Sequence, residues 1–169
     1  MQATLRARLP LERDLAKLAE QLDRDIASST PPEVYLTLFM GILDQEKREL
    51  CYVNAGHNTQ YALHFRGGLD RLESTGRPLG LLPGGGFGDR RVSLREGDSL
   101  FLYTDGLVEA ENETGEEFGR VRLETILVGE HTLGLDHLIE VVDRAVRAYR
   151  GIREARDDAT IVALKIRQV

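Results

Sequence analysis

Leu102-Tyr103-Thr104-Asp105-Gly106 is the stretch on which the fold turns. An apolar strand ends abruptly there in a carboxylate followed by glycine, so the Asp stands at a sheet edge and the backbone behind it is open to close approach. Upstream, Arg91 to Leu94 and Leu100 to Thr104 read as a hairpin turned at Glu96-Gly97-Asp98. A glycine-rich loop, Gly80 to Gly88, comes before it. Earlier still, Gln60 to Phe65 and Leu69 to Leu72 form a second hairpin around Gly67-Gly68. Leu50 to Asn54 is a strand reached from Tyr35–Leu43 through the polar run Asp44 to Arg48. Tyr35–Leu43 is apolar on both faces, which predicts a central strand.

Helices flank this block. Leu11, Leu15, Leu18, Leu22 and Ile26 recur at three- and four-residue steps among charged residues, an amphipathic helix closing near Ser28 before Pro31-Pro32. Beyond Gly106, Asn112 to Glu117 is a polar loop and Arg120 to Leu127 a short helix. Leu135, Leu138, Val142, Ala145 and Tyr149 mark a longer helix, and Ala159 to Ile166 returns as a strand. Antiparallel strands in hairpins with helices outside them imply an α+β layered domain. At 169 residues, without repeat, low-complexity tract or linker, the chain is expected to be one domain, 1–169.

Composition narrows the function. Apolar residues make up 41% and charged residues 30%, an ordinary globular balance. The net charge is −6, with both signs interspersed, which argues against a nucleic-acid partner because phosphate-backbone affinity needs clustered Lys and Arg. The longest apolar stretch is too short to span a bilayer, and Met1 to Arg8 lacks the apolar region of a signal peptide. A cytoplasmic protein without membrane partners is the expectation. Cys51 is alone, which excludes a disulfide framework and a thiolate cluster; inside a strand it reads as an inert thiol.

A second acidic feature, Arg156-Asp157-Asp158-Ala159-Thr160, sits at the mouth of the last strand. Adjacent carboxylates repel, so such a pair suggests something cationic nearby. If the strands carrying Asp105 and Asp157 are neighbours, the two carboxylates converge, and hard divalent cations take oxygen ligands of this kind. Taken singly, each has a blander account: Asp-Gly after a strand is a turn, and Asp-Asp is a solvated loop or helix cap.

The order of motifs resembles the stage II sporulation protein E and RsbU type of metal-dependent PP2C-like (PPM) phosphatases. The matching segments are Thr37–Asp44, Tyr52-Val-Asn-Ala-Gly-His-Asn58, Gly76-Arg-Pro-Leu-Gly80, Glu96-Gly-Asp98, Tyr103-Thr-Asp-Gly-Leu-Val-Glu-Ala110, Gly115–Gly119 and Asp157-Asp-Ala-Thr-Ile-Val162. They cover most of the chain in the family's order. The resemblance implies a PP2C-like layered α/β sandwich of mostly antiparallel sheets flanked by helices. It also implies hydrolysis of phosphoserine or phosphothreonine on a protein of the anti-anti-sigma (STAS) type by metal-activated water, in sigma-factor partner switching. Carried over residue by residue, it makes Asp105 and Asp157 ligands of Mn²⁺ or Mg²⁺, two ions in the complete domain, and puts Gly106 beside them. Asp158 matches a supporting position. His57 falls at a turn near the metal centre, where a structural hydrogen bond is the alternative to a direct role.

The family pattern also includes an early Gly-Asp-x-x-Asp strand and an Asp-x-Ser-Gly-His turn opening a helix. Neither is found: Gly88-Asp89 lies in the glycine-rich loop and Gly97-Asp98 in a turn. By the resemblance, Gln2 to Leu9 is the tail of that helix, and the fold lacks its first strands and helix. Weak cation binding, an open sheet edge and a homodimer are then expected. The rival function is a catalytically incomplete module that only binds a signalling partner. A nucleotide-binding reading of Gly84-Gly-Gly-Phe-Gly88 fails for want of the Lys-Ser/Thr of a P-loop.

Overall fold

The computed structural model describes residues 13–31, 33–82 and 84–167; the expected helical tail Gln2 to Leu9, together with Leu11 and Pro32, lies outside them. The chain divides into two compact units, residues 1–59 with 72–93 and residues 60–71 with 94–169. Among the described residues no helix is long and apolar enough to cross a membrane.

The first unit is a sheet covered by one helix. Helix α1, Leu15–Ser29, starts at Asp14, whose carboxylate caps the Lys17 amide at 3.1 Å. Its apolar stripe of Leu15, Leu18, Ala19, Leu22 and Ile26 is buried against Val53, Ala55, Leu79 and Phe87. Each buried leucine contributes about 1.5–3 kcal/mol, so the stripe fixes the helix on the sheet. The strands are β1 (Leu38–Asp44), β2 (Glu49–Ala55) and β5 (Arg90–Ser93), antiparallel in the order β1-β2-β5.

This order corrects one expectation. β1 is an edge strand of its sheet among the described residues, and β2 is central. The apolar faces of β1 have another cause than two strand neighbours. Leu38 and Met40 pack on the α1 cluster, while Phe39 stacks on Tyr52 with ring centroids 5.4 Å apart. Burial of a strand's faces is independent of whether its edge is paired.

The second unit holds β3 (Gln60–Leu63), β4 (Leu69–Leu72), β6 (Ser99–Tyr103) and β7 (Ile161–Lys165), ordered β4-β3-β6-β7. Helices α2 (Gly119–Gly129) and α3 (Leu135–Arg150) contribute Leu123, Leu127, Leu138, Val142 and Val146 to a core with Tyr61, Leu63, Phe101 and Tyr103. The β3–β4 turn is as expected, with φ of 103° at Gly67 and 89° at Gly68.

The expected hairpin of Arg91 to Leu94 with Leu100 to Thr104 does not form. β5 pairs with β2 and β6 with β3 and β7. The turn exists, because the Asp98 carboxylate accepts from the amides of Arg95 (2.8 Å) and Phe65 (2.9 Å). The backbone groups beyond it go elsewhere: the Gly97 amide donates to Ile166 and the Ile166 amide to Asp98. The turn therefore closes on the end of β7 and hands the chain from one sheet to the other.

Candidate functional site

β6 and β7 pair antiparallel with Tyr103 opposite Ile161. That register brings the segment after β6 alongside the segment before β7. Thr104 joins them three times: its amide donates to Thr160 O (3.1 Å), its hydroxyl to Asp158 O (3.2 Å), and it accepts from the Thr160 amide (2.9 Å). Asp105 then opens a single 3-10 turn, Asp105–Leu107, pinned by the buried Leu107. A Cβ built on Gly106 would stand 2.7 Å from Asp158 O and 3.3 Å from Asp157 O. Only glycine allows the two backbones to approach this closely.

Asp105, Gly106, Asp157 and Asp158 are thus brought to one end of the sheet, and the three carboxylates are exposed. Asp105 Oδ1 accepts from the Gly106 amide and Asp157 Oδ1 from the Asp158 amide, each a local turn bond. Gly106 and Asp157 line a cleft of about 140 Å³ with Glu109, Glu117 and Arg150. The pKa of Glu109 is raised from its ordinary value, through desolvation first and then through the charges of Asp105, Glu117 and Asp157. Glu109, Glu117 and Asp157 share the cleft with Arg150, Arg153 and Arg156.

The donors are hard oxygens, the chemistry that Mg²⁺ and Mn²⁺ select. Asp105 and Asp157 fit such ions in donor type and in their common position at the sheet end. In number they are two, and among the described residues no group of three His, Cys, Asp or Glu side chains gathers to hold a metal.

His57 lies in the other unit, where its Nδ1 is 3.0 Å from the Thr37 hydroxyl. In the same Asn-Ala-Gly-His-Asn turn, the Asn54 amide group donates to Asn58 O and Leu72 O. Cys51 is half-buried and its thiol bonds Asp89 at 3.3 Å; burial first, and then Asp89, push its pKa up to about 11. At neutral pH it has no thiolate character.

Sequence reasoning missed three features. Glu111 accepts from Arg153 at 2.6 Å and also from Arg156. His64 has Asp98 at 3.2 Å on Nδ1 and Asp70 at 3.1 Å on Nε2. Arg77 of Gly76-Arg-Pro-Leu-Gly80 pairs with the buried Asp23 at 3.0 Å and also donates to the Gly85 and Leu82 carbonyls. The motif therefore fixes the glycine-rich loop that follows it.

The family model of stage II sporulation protein E (SpoIIE) matches residues 1–167. The chain belongs to the SpoIIE family. Protein IcfG of Synechocystis is 30% identical over 131 residues, covering 78% of this chain and 20% of that protein. Phosphoserine phosphatase RsbU of Bacillus subtilis is 23% identical over 101 residues, 59% of this chain and 30% of that one. The chain spans a fifth to a third of the lengths of these curated SpoIIE-family relatives. Among solved structures, the SiaA-PP2C domain of Pseudomonas aeruginosa aligns with a TM-score of 0.83 at 23% identity, over 97% of this chain and 66% of that one. The RsbU and RsbW domains of a Mycobacterium tuberculosis protein align with a TM-score of 0.78 at 25% identity, over 98% and 45%. The antiparallel sheets flanked by helices match this PP2C-like architecture, and by family the chain is related to PP2C/PPM-type phosphatase domains.

Proposed function

We propose that this chain is the catalytic part of a metal-dependent protein serine/threonine phosphatase. It takes phosphate from phosphoserine or phosphothreonine on an anti-anti-sigma (STAS) type protein in bacterial partner switching. The observation that supports this reading is the contact of Gly106 with the Asp157-Asp158 backbone, which sets the segments carrying Asp105 and Asp157 side by side in a SpoIIE-family chain. Asp105 and Asp157 would hold Mn²⁺ or Mg²⁺, two ions in the complete domain. Bound cations supply positive charge for the phosphoryl oxygens and make a water molecule more acidic. The chain's own work is positional. Thr104 fixes the Asp158 backbone, which suits Asp158 to support its neighbour, and Gly106 keeps the two loops in contact. The site is cytoplasmic in this reading, and His57 braces Thr37 through its ring.

The test is phosphate release from a phosphoserine peptide with and without Mn²⁺, with Asp105→Asn as control. A rate that requires Mn²⁺ and vanishes in the variant is expected. A specific observation favours a second reading, in which the chain binds a signalling partner without hydrolysis: among the described residues no group of three His, Cys, Asp or Glu side chains gathers to hold a metal. Retention of a phosphorylated STAS-type protein without phosphate release, at any Mn²⁺ concentration, would select it. A homodimer belongs to the proposal as well. Val162 and Leu164 leave apolar surface on β7 at 46% and 47% exposure, and a monomer in light scattering would count against it.

A further inference from the structure

The segment between α3 and β7, residues 151–160, has no helix or strand of its own, yet it carries Asp157. Its C-terminal half is fastened by Thr104 and backed by Gly106. Ahead of Asp157, Arg153 and Arg156 both pair with one carboxylate. Glu111 Oε2 accepts from Arg153 at 2.6 Å, and Glu111 Oε1 accepts from Arg156, the residue immediately before Asp157. Glu111 is only 21% exposed, whereas Arg156 is 74% exposed. The carboxylate is thus the fixed post and the arginines are the arms.

Glu111 itself is well anchored. It pairs with Glu117 in an isolated antiparallel bridge, and the Asn112 side chain closes the intervening turn by accepting from the Thr114 and Glu116 amides. The chain also returns on itself at Phe118, whose amide donates to Ala110 O and whose side chain is buried. Asp105 begins this same segment. One short, internally bonded stretch therefore both carries Asp105 and holds the loop of Asp157.

We infer that Glu111 is a positioning residue: through Arg153 and Arg156 it sets where Asp157 stands relative to Asp105. The role rests on the proposed cation site, since the spacing of the two carboxylates matters only if they share a ligand. It is a feature of side chains outside the acidic motifs, and it acts by charge-assisted hydrogen bonds, one arginine to each carboxylate oxygen. Groups that orient metal ligands from behind typically change affinity by about 10–100-fold when removed.

The experiment uses the chain with Glu111→Ala, Arg156→Met and the double variant, with two readouts. Mn²⁺ titration by calorimetry is expected to show affinity about tenfold or more weaker in Glu111→Ala, and the double variant is expected to lose no more than the worse single one. Amide hydrogen exchange without metal is expected to be faster at Asp158 in Glu111→Ala and unchanged in the β3–β6 ladder. Equal Mn²⁺ affinity in wild type and Glu111→Ala would overturn the inference, as would additive losses in the double variant or unchanged exchange at Asp158. A wild-type chain that binds no Mn²⁺ would sink the cation site itself. In that case the exchange readout alone decides whether Glu111 holds the loop, so the two failures are distinguishable.

Discussion

Asp23 and Asp157 are both aspartates with an arginine close by, Arg77 for one and Arg156 next in sequence for the other, and their surroundings are opposite. Asp23 lies on the inner side of α1 at 3% exposure, and both its oxygens are used, one by the Gly80 amide at 2.8 Å and one by Arg77 at 3.0 Å. Asp157 is exposed, its oxygen Oδ1 bonds only the next amide, and the arginine beside it is taken by Glu111. A buried charge must be fully paired to be tolerated. An exposed one beside other carboxylates can stay uncompensated until a cation arrives. The difference separates a carboxylate that holds the fold from one that, in the proposed function, is left for a ligand.

Four substitutions can break or sharpen this contrast. Asp23→Ala strands the Arg77 guanidinium and the Gly80 amide, and is expected to cost about 3–5 kcal/mol in urea unfolding, as for other broken buried pairs. Gly106→Ala puts a Cβ 2.7 Å from a backbone oxygen; about 1–3 kcal/mol of destabilisation is expected, with weaker Mn²⁺ binding because the loops part. A carboxylate site indifferent to Gly106→Ala would mean that the close approach has no bearing on cations.

The third concerns pH. Burial disfavours the charged His64 ring, but its bonds to Asp98 and Asp70 outweigh that, and its pKa is raised from 6.5. The protonated ring therefore adds stability that is complete below pH 6.5 and is lost as pH rises through the higher folded value. His64→Gln is expected to flatten this part of the stability–pH curve, measured by thermal melting between about pH 5 and 9. Asp98 works in the other direction. Burial opposes its charge, the amides of Arg95 and Phe65 and the His64 ring favour it, and its pKa is lowered from 3.8, so its contribution persists above pH 3.8 and is lost in stronger acid. The smallest effect belongs to Asp157→Asn: within about 0.5 kcal/mol in metal-free melts, as for surface changes without buried partners. A large loss there would make Asp157 another Asp23.

Local features were legible in the sequence. The spacing of Leu15, Leu18, Leu22 and Ile26 located α1, and Gly67-Gly68 located a turn that needs positive φ. The segments holding Asp105 and Asp157 were legible through the apolar strands next to them. What was not legible depends on partners far along the chain. The strand expected over Arg91 to Leu94 exists one residue earlier, at Arg90–Ser93, but its pairing differs, because a tight turn at Gly97 is compatible with a hairpin or with passage to another sheet. The edge position of β1 was hidden because apolar faces say nothing about lateral neighbours. Arg77 meets Asp23 across 54 residues and Arg156 meets Glu111 across 45, distances at which charged residues carry no periodic signal.

The β6–β7 ladder has one more consequence, for the order in which the molecule comes together. Asp105 and Asp157 stand far apart in the unfolded chain and become neighbours only when the last strand has docked in its register. Closing a loop of that length costs chain entropy before any contact rewards it. A cation gripped by both residues would be bound by the finished fold and hardly at all by its precursors. Its concentration would then act as a thermostat on the chain, raising the melting temperature with the logarithm of free ion once binding saturates.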